Sequence, residues 1–168
     1  MHVSSRSVLA AGLVLAAGLM AGCATIRPSA PMPLAAPQLR TDLAARWIDA
    51  QGHVVWPPNE GFAGAPAPIA LPVGLLLDRF GSGGGRFFSP RGANYDSRAL
   101  PYVCAGLAYT TYEVRRPVIA WVGRAAPWFD EPGGATQVET DATAAQLVGE
   151  GALAPRPKAP KLSCPVMK

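Results

Sequence analysis

Histidine, lysine and cysteine are all scarce in this chain. Among its 168 residues the only histidines are His2 and His53, and the lysines are confined to positions 158, 161 and 168. Three cysteines with so few histidines make a poor zinc site, so we expect no bound metal. The net charge is only +4 and there is no dense basic run, so we expect no nucleic-acid partner.

Long apolar runs are also missing. The run from Val8 to Met20 follows Arg6 and is shorter than the about 20 residues of a bilayer span. Small residues and then Cys23 follow it, in a pattern that resembles a bacterial lipobox, although Met20 stands where leucine is usual. We therefore expect residues 1–22 to be a lipoprotein signal peptide and Cys23 to carry the lipid. The alternative is ordinary cleavage nearby, with Cys23 left as a spare thiol.

A lipid on Cys23 would place the protein in the cell envelope, held to the membrane by its anchor. Ala24, rather than aspartate, follows the cysteine. In Gram-negative lipoproteins this resembles sorting to the outer membrane. Without the lipid, the protein would be secreted.

Proline divides the rest of the chain into three parts. Residues 23–40 and 154–168 are proline-rich, which predicts an extended tether and an extended, solvated tail. Residues 41–153 remain as one domain of ordinary size. With Cys23 lipidated, Cys104 and Cys164 are an even pair, and an oxidising compartment favours a disulfide between them. That disulfide would fasten the tail to the domain.

The residue pattern of the domain predicts strands in the middle and helices at the ends. Helices are expected over Thr41–Ala50 and over Ala142–Val148, the second capped by Thr140 or Asp141. Residues 56–72 are rich in proline and glycine and predict loop and turns. Strands are expected over residues 75–80, 86–89, 108–114, 118–122 and 136–139. This arrangement predicts an α+β fold with a bent antiparallel sheet core and short flanking helices.

An ordered set of short motifs runs from Trp56 to Gln137. The motifs are Trp56-Pro57-Pro58-Asn59-Glu60-Gly61-Phe62, Asp78-Arg79-Phe80-Gly81, Gly85-Arg86-Phe87-Phe88-Ser89, Arg98-Ala99-Leu100-Pro101, Tyr112-Glu113-Val114 and Gly133-Gly134-Ala135-Thr136-Gln137. In this order and spacing they resemble the tuberculosis necrotizing toxin (TNT) domain family, whose members cleave NAD.

The resemblance implies a TNT-like fold and a function. The expected protein is an exported, lipid-anchored NAD glycohydrolase that cleaves the nicotinamide–ribose bond and yields nicotinamide and ADP-ribose. NAD or NADP is then the substrate, and no cofactor is expected. A role as a toxin, with an immunity protein as partner, is also implied. The rival interpretations are an ADP-ribosyltransferase and a non-catalytic NAD-binding or structural lipoprotein of the envelope.

The same resemblance assigns site residues. Arg79 and Gln137 correspond to catalytic positions, and Arg98 and Phe87 to substrate-binding positions. An arginine at the end of a strand can present its fork to a phosphate, although Arg79 could instead form an ion pair with Asp78. Arg91 is a rival for the position assigned to Arg98.

Phe87 and Gln137 are each expected to contact the substrate. Phe87 stands where the family often has tyrosine, and its ring could stack on nicotinamide, but one of Phe87 and Phe88 must face the core. The amide of Gln137 could hold the ribose, the nicotinamide or the attacking water, but it cannot act as a general base at neutral pH.

One position departs from the family pattern. Members commonly have a histidine two residues before the Tyr112-Glu113-Val114 motif, and here that residue is Thr110. A histidine-dependent step therefore cannot operate as in those members. A carboxylate could stabilise the cationic transition state, and Glu139 and Glu131 are both near Gln137 in sequence.

Overall fold

The computed structural model describes residues 36–157 and 159–165. The predicted signal peptide and Cys23 lie outside the described residues, so the structure bears on neither. The described part is built on a seven-stranded sheet with the order β1-β5-β6-β3-β2-β4-β7. The strands are β1 (Ala67–Leu71), β2 (Leu76–Phe80), β3 (Phe87–Pro90), β4 (Tyr109–Val114), β5 (Val118–Arg124), β6 (Thr136–Glu139) and β7 (Leu153–Pro155).

Every neighbouring pair of these strands is antiparallel, and the sheet curls. The predicted fold class, α+β with a bent antiparallel sheet, is therefore confirmed. The register places Arg79 opposite Thr110 and Phe87 opposite Glu139. It also places Gln137 opposite Gly123. Directly opposite residues share a face of the sheet, so these pairs decide which side chains can meet.

Two apolar clusters cover the two faces of β2. Leu77 packs with Phe88, Tyr112 and Val114 in the larger cluster. Phe80 packs on the other side in a smaller cluster with Tyr95, Cys104 and Leu107. Successive strand residues point to opposite faces, so Asp78 lies on the side of Phe80 and Arg79 on the side of Leu77. This alternation separates the two charged residues of the Asp78-Arg79 pair.

The described residues contain one α-helix, α1 (Ala144–Gly149), which begins two residues later than predicted. Its N-cap is Thr143, not Thr140 or Asp141. The Thr143 hydroxyl accepts a hydrogen bond from the Gln146 amide, and the Gln146 side chain accepts one from the Thr143 amide. This reciprocal pair is a capping box. Single 3₁₀ turns lie at Ala45–Trp47, Asn59–Gly61, Asp96–Arg98 and Cys104–Gly106.

The predicted helix over Thr41–Ala50 is wrong. Only the turn Ala45–Trp47 is helical there, and the next residue, Ile48, pairs with Val54 in an isolated bridge. The Asp49 carboxylate accepts hydrogen bonds from the amides of Gln51 and His53. Aspartate stabilises turns in this way, and the local turn outcompetes the helix.

Two strands of the sheet were not predicted. β1 lies within the segment predicted to be loop, and β7 extends into the segment predicted to be a solvated tail. They contain Pro68 and Pro155, and they are the two edge strands, where a missing amide hydrogen is tolerated. The tether also touches the domain, because the Arg40 amide donates to the Pro101 carbonyl at 2.9 Å. The domain boundaries remain predictions.

The expected disulfide is present. Cys104 and Cys164 are joined, with their Cα atoms 5.7 Å apart. Leu162 and Cys164 pack against the cluster that contains Phe80, so residues 162–164 are held on the domain. Among the residues that the structure describes, no helix has the length and apolar character needed to cross a membrane.

Candidate active site

A cleft of about 660 Å³ opens at one end of the β2–β3 hairpin. Its walls come from the loop at residues 56–61, the turn at residues 81–85, the segment 98–107 and the start of β6. The volume lies in the range of about 300–1,000 Å³ that is typical of small-molecule sites. All four residues predicted to act in the site line this cleft: Arg79, Phe87, Arg98 and Gln137.

Arg79 is a buried cation without a carboxylate partner in the described part of the chain. It is 8% exposed. Its Nη1 is 3.4 Å from the Phe87 carbonyl, its guanidinium lies over the Phe88 ring at 5.7 Å, and its Nε has no hydrogen-bond acceptor. Burial lowers the pKa of Arg79, but an arginine remains charged in proteins. A buried, unneutralised cation is costly, and an anionic ligand would relieve that cost.

The possible ion pair between Asp78 and Arg79 is not formed. Asp78 is fully buried and binds Arg98 instead, at 2.5 Å. The Tyr109 hydroxyl and the Gly92 amide donate to the other oxygen of the Asp78 carboxylate. Because neighbouring strand residues face opposite ways, the sheet itself keeps Asp78 from Arg79.

Arg98 lines the cleft with a guanidinium that is already largely engaged. Its Nη2 contacts Asp78, its Nε and Nη2 both donate to the Ala93 carbonyl, and its plane lies over the Phe80 ring at 5.1 Å. These contacts hold the Arg98 guanidinium in place as part of the cleft wall. The rival, Arg91, does not line the cleft but a shallower depression beside Arg156. Direct contact of Arg98 with substrate remains a prediction.

The adjacent phenylalanines both line the cleft, but they differ in exposure. Phe87 is 37% exposed and lines the cleft, with the Arg86 guanidinium 5.5 Å from its ring. Phe88 is 3% exposed and meets the Tyr112 ring edge-on, with centroids 5.8 Å apart. Phe87 is therefore the ring available to a ligand.

Gln137 connects β6 to the loop over the cleft. Its Nε2 donates to the Glu60 carbonyl at 2.8 Å, and its Oε1 accepts no hydrogen bond from the described residues. The loop backbone lies close to the side-chain amide of Gln137, because a Cβ added at Gly61 would lie 3.6 Å from both side-chain heteroatoms of Gln137. The amide is therefore held in place with an acceptor left for a ligand.

The loop contains a turn with three consecutive positive φ values, 54° at Asn59, 50° at Glu60 and 82° at Gly61. Only glycine adopts this region freely, and asparagine tolerates it better than most residues. The Asn59 side-chain amide holds the turn by donating to the carbonyls of Phe62 and Gly64, at 3.1 and 2.8 Å.

Glu60, at the centre of this turn, lines the cleft and was not predicted to be a site residue. Its carboxylate accepts a hydrogen bond from Arg86 at 3.1 Å. The Trp56–Phe62 motif contains Glu60, but no site residue was predicted within that motif. Trp56 and Tyr102 are further lining residues that were not predicted.

The two carboxylates considered from the sequence each form an ion pair with an arginine. Glu131 pairs with Arg40, and Glu139 pairs with Arg86 at 2.9 Å. Burial raises the pKa of both carboxyl groups, and the neighbouring arginines partly offset this. Neither is among the residues that line the cleft.

Thr110 stands where the motif resemblance leads to the expectation of a histidine. Thr110 on β4 lies opposite Arg79 on β2. None of the residues lining the cleft is a histidine. Within residues 36–157 and 159–165, no group of three or more His, Cys, Asp or Glu side chains is placed to bind a metal ion.

The fold and the cleft define an α+β domain with a curled antiparallel sheet and a small-molecule site that holds a buried arginine and a fixed amide. Residues 70–155 match the family described as Tuberculosis necrotizing toxin. This match covers half of the chain. The chain belongs to this family, and the expectation drawn from its motifs is confirmed.

Two individual proteins illustrate the likeness. The chain is 38% identical over 115 residues to the conidial surface nicotinamide adenine dinucleotide glycohydrolase of Aspergillus fumigatus, covering 61% of this chain and 49% of that protein. It thus spans about half the length of this relative. The solved structure of tuberculosis necrotizing toxin with its immunity factor superposes with a TM-score of 0.54 at 24% identity, covering 64% of this chain and 65% of that one. This second match establishes the fold.

Proposed function

We propose that this protein is an NAD glycohydrolase that acts in the cleft beside Arg79 and Gln137. The observation that carries the proposal is Arg79, a buried cation with no carboxylate partner among the described residues, in a cleft of nucleotide size. The pyrophosphate of NAD is the kind of anion that an arginine fork binds. The similarity to a fungal glycohydrolase supports the same substrate.

The reaction is hydrolysis of the bond between C1′ of the ribose and N1 of nicotinamide. The bonding electron pair leaves with N1, so the positively charged pyridinium becomes neutral nicotinamide. The ribose becomes cationic at C1′ and O4′, as in other glycosidic cleavages. Water adds to C1′ and releases a proton, giving ADP-ribose. The leaving group needs no protonation, so orientation and electrostatics supply most of the catalysis.

Each lining residue then has a role that its position supports. Arg79 binds the pyrophosphate, and Phe87 stacks on the nicotinamide ring. Gln137 uses its free Oε1 to orient the ribose hydroxyls, the nicotinamide amide or the attacking water. Arg98 stays bound to Asp78 and fixes the wall next to the pyrophosphate. NADP fits the same scheme, and no cofactor, metal or nucleic acid enters it.

The cellular setting is part of the proposal. Residues 1–22 direct export and Cys23 carries a lipid, so the domain acts in the cell envelope, at the outer membrane if the cell is Gram-negative. Because NAD is mostly cytosolic, an exported NAD-cleaving enzyme suits a toxin aimed at neighbouring cells. An immunity protein that blocks the cleft would then protect the producer.

Product analysis tests the proposal. The purified protein is incubated with NAD, and separately with NADP, and the products are separated by chromatography. Equal amounts of nicotinamide and ADP-ribose (or its 2′-phosphate from NADP) are expected. Nicotinamide without free ADP-ribose, with label transferred to an added acceptor protein, would instead identify a transferase. A folded protein that consumes neither dinucleotide would leave only a binding function, and Thr110 would be the first residue to exchange for histidine.

A further inference from the structure

We propose that Glu60 is a catalytic residue whose carboxylate stabilises the cationic ribose during cleavage. This inference rests on the proposed function and adds the negative charge that the reaction needs. Among the described residues that line the cleft, Glu60 is the only carboxylate. The two acidic residues nearest Gln137 in sequence, Glu131 and Glu139, are absent from that lining.

Glu60 lines the cleft and pairs with Arg86, and its backbone is strained. Glutamate has no local reason to adopt a φ of 50°, and such a residue costs about 1–3 kcal/mol. Strain of this kind persists only where surrounding contacts impose it, and it is concentrated at functional sites.

Several independent contacts impose the turn. The Gln137 amide donates to the Glu60 carbonyl at 2.8 Å, and the Ala126 amide donates to the Gly61 carbonyl at 2.8 Å. Phe62 then packs over Gly123, where an added Cβ would lie 2.8 Å from the Phe62 ring. The residue proposed to bind substrate through its amide thus also holds the backbone of Glu60.

Glu60 and the charged side chains next to it carry a net negative charge at the edge of the cleft. Arg86 contacts both Glu60, at 3.1 Å, and Glu139, at 2.9 Å, so one cation is shared by two carboxylates. Arg79 supplies a positive charge elsewhere in the same cleft. The cleft therefore has a positive and a negative region, which match the anionic pyrophosphate and the cationic nicotinamide riboside of NAD.

The step itself involves no covalent bond to the protein. As the C1′–N1 bond breaks, its electron pair leaves on nicotinamide and positive charge spreads over C1′ and O4′. The Glu60 carboxylate lowers the energy of that charge electrostatically. Water then adds to C1′, and its proton passes to solvent. The positive charge on the nicotinamide ring of NAD moves onto C1′ and O4′ in the transition state, so a carboxylate beside the ribose acts on kcat more than on KM.

The test compares Glu60→Gln with Arg86→Gln. Both remove the Glu60–Arg86 ion pair, and Arg86→Gln also removes the pair between Arg86 and Glu139. Glu60→Gln keeps the size of the side chain and a hydrogen-bond acceptor for Arg86 but removes the negative charge. Arg86→Gln removes the partner and leaves the carboxylate. For Glu60→Gln we expect kcat for NAD to fall about 10-fold with KM little changed, less than the loss of a charged group in a water-excluded site, because the Glu60 side chain is 59% exposed. Arg86→Gln should lower kcat only a few-fold.

A matched control and a fold readout separate catalysis from structure. Glu150→Gln removes an exposed carboxylate beside α1 and should leave kcat and the melting temperature unchanged. If the ion pair were all that Glu60 provides, Arg86→Gln, which also removes the pair with Glu139, would lower kcat at least as much as Glu60→Gln, and that result would overturn the proposal. Wild-type kcat in Glu60→Gln would overturn it as well, while the glycohydrolase function would stand. Lack of any NAD turnover by the wild-type protein would overturn both.

Discussion

The backbone of Gly85 lies directly against the guanidinium of Arg79. A Cβ added at Gly85 would be 2.6 Å from Cζ of Arg79, closer than any side chain can approach. The turn between β2 and β3 therefore needs glycine at this position so that the buried cation can reach the cleft. The glycine-rich sequence after β2 serves the site as well as the hairpin.

Replacing Gly85 with alanine should displace Arg79 without unfolding the domain. The colliding atoms are the far end of a flexible side chain, so the guanidinium moves and the backbone stays. A displacement of this size typically costs about 100-fold in rate, and we expect that loss in kcat/KM for NAD. Gly149→Ala, where an added Cβ has open space, is the control. A Gly85→Ala variant with wild-type kcat/KM would show that the position of Arg79 is unimportant.

Breaking the pair between Asp78 and Arg98 should destabilise the fold. Both side chains are buried, and Asp78→Asn leaves the Arg98 charge without its partner. Removal of one member of a buried pair costs about 3–5 kcal/mol, to be measured as the free energy of unfolding in urea. The control is Asp42→Asn, which removes an exposed partner of Arg40 and should cost at most about 1 kcal/mol. Equal effects of the two substitutions would contradict the structural role of Asp78.

Loss of the disulfide should weaken both stability and the cleft wall. It closes a loop with a sequence separation of 60 and joins the chain end to the cluster that includes Leu107, a cleft-lining residue. Replacing Cys104 and Cys164 together with alanine should lower the free energy of unfolding by up to about 4 kcal/mol. The double variant should also raise KM for NAD, because Tyr102 and Leu107 lose their support. Unchanged unfolding in denaturant would contradict this account.

The carboxyl group of Glu139 should make stability depend on pH. Burial raises its pKa, so the folded protein holds the proton more tightly than the unfolded chain does. The contribution of this group to stability therefore falls as pH rises from the ordinary glutamate pKa through the raised one. Glu139→Gln removes this titration.

The comparison of wild type with Glu139→Gln isolates the contribution of the Glu139 carboxyl group to stability. Between pH 4 and pH 7 the difference in unfolding free energy should move in favour of the variant. Denaturant unfolding at the two pH values measures it. A difference that moves in favour of the wild type would mean that Arg86 lowers the pKa of Glu139 more than burial raises it.

The sequence predicted the parts of the fold whose signals are local. The bounds of β6 agree with the predicted residues 136–139, and the hairpin of β2 and β3 follows from the glycine turn between them. The edge strands β1 and β7 were missed because their prolines indicate loop, and only pairing with a neighbour makes them strands. The cap at Thr143 was recognisable from Gln146 three residues later, as a capping-box pattern.

The residues of the candidate site could be predicted from the sequence, but the contacts between them could not. Motif resemblance indicated that Arg79, Phe87, Arg98 and Gln137 belong together, and all four line one cleft. Periodicity along β2 could have indicated that Asp78 faces away from Arg79, but not that Arg98 would reach it. Glu60 depends on a left-handed turn that long-range contacts impose, and no local pattern encodes those contacts.

The rate of NAD hydrolysis by three proteins shows whether the reaction takes place in the cleft beside Arg79 and Gln137. These are the wild type, the Arg79→Ala, Gln137→Ala double variant, and Arg91→Ala, which removes an arginine outside the cleft. The account predicts nicotinamide release by the wild type and by Arg91→Ala, and none above background by the double variant at equal fold content in circular dichroism. Equal rates in all three proteins would contradict it, because the chemistry would then lie outside the cleft.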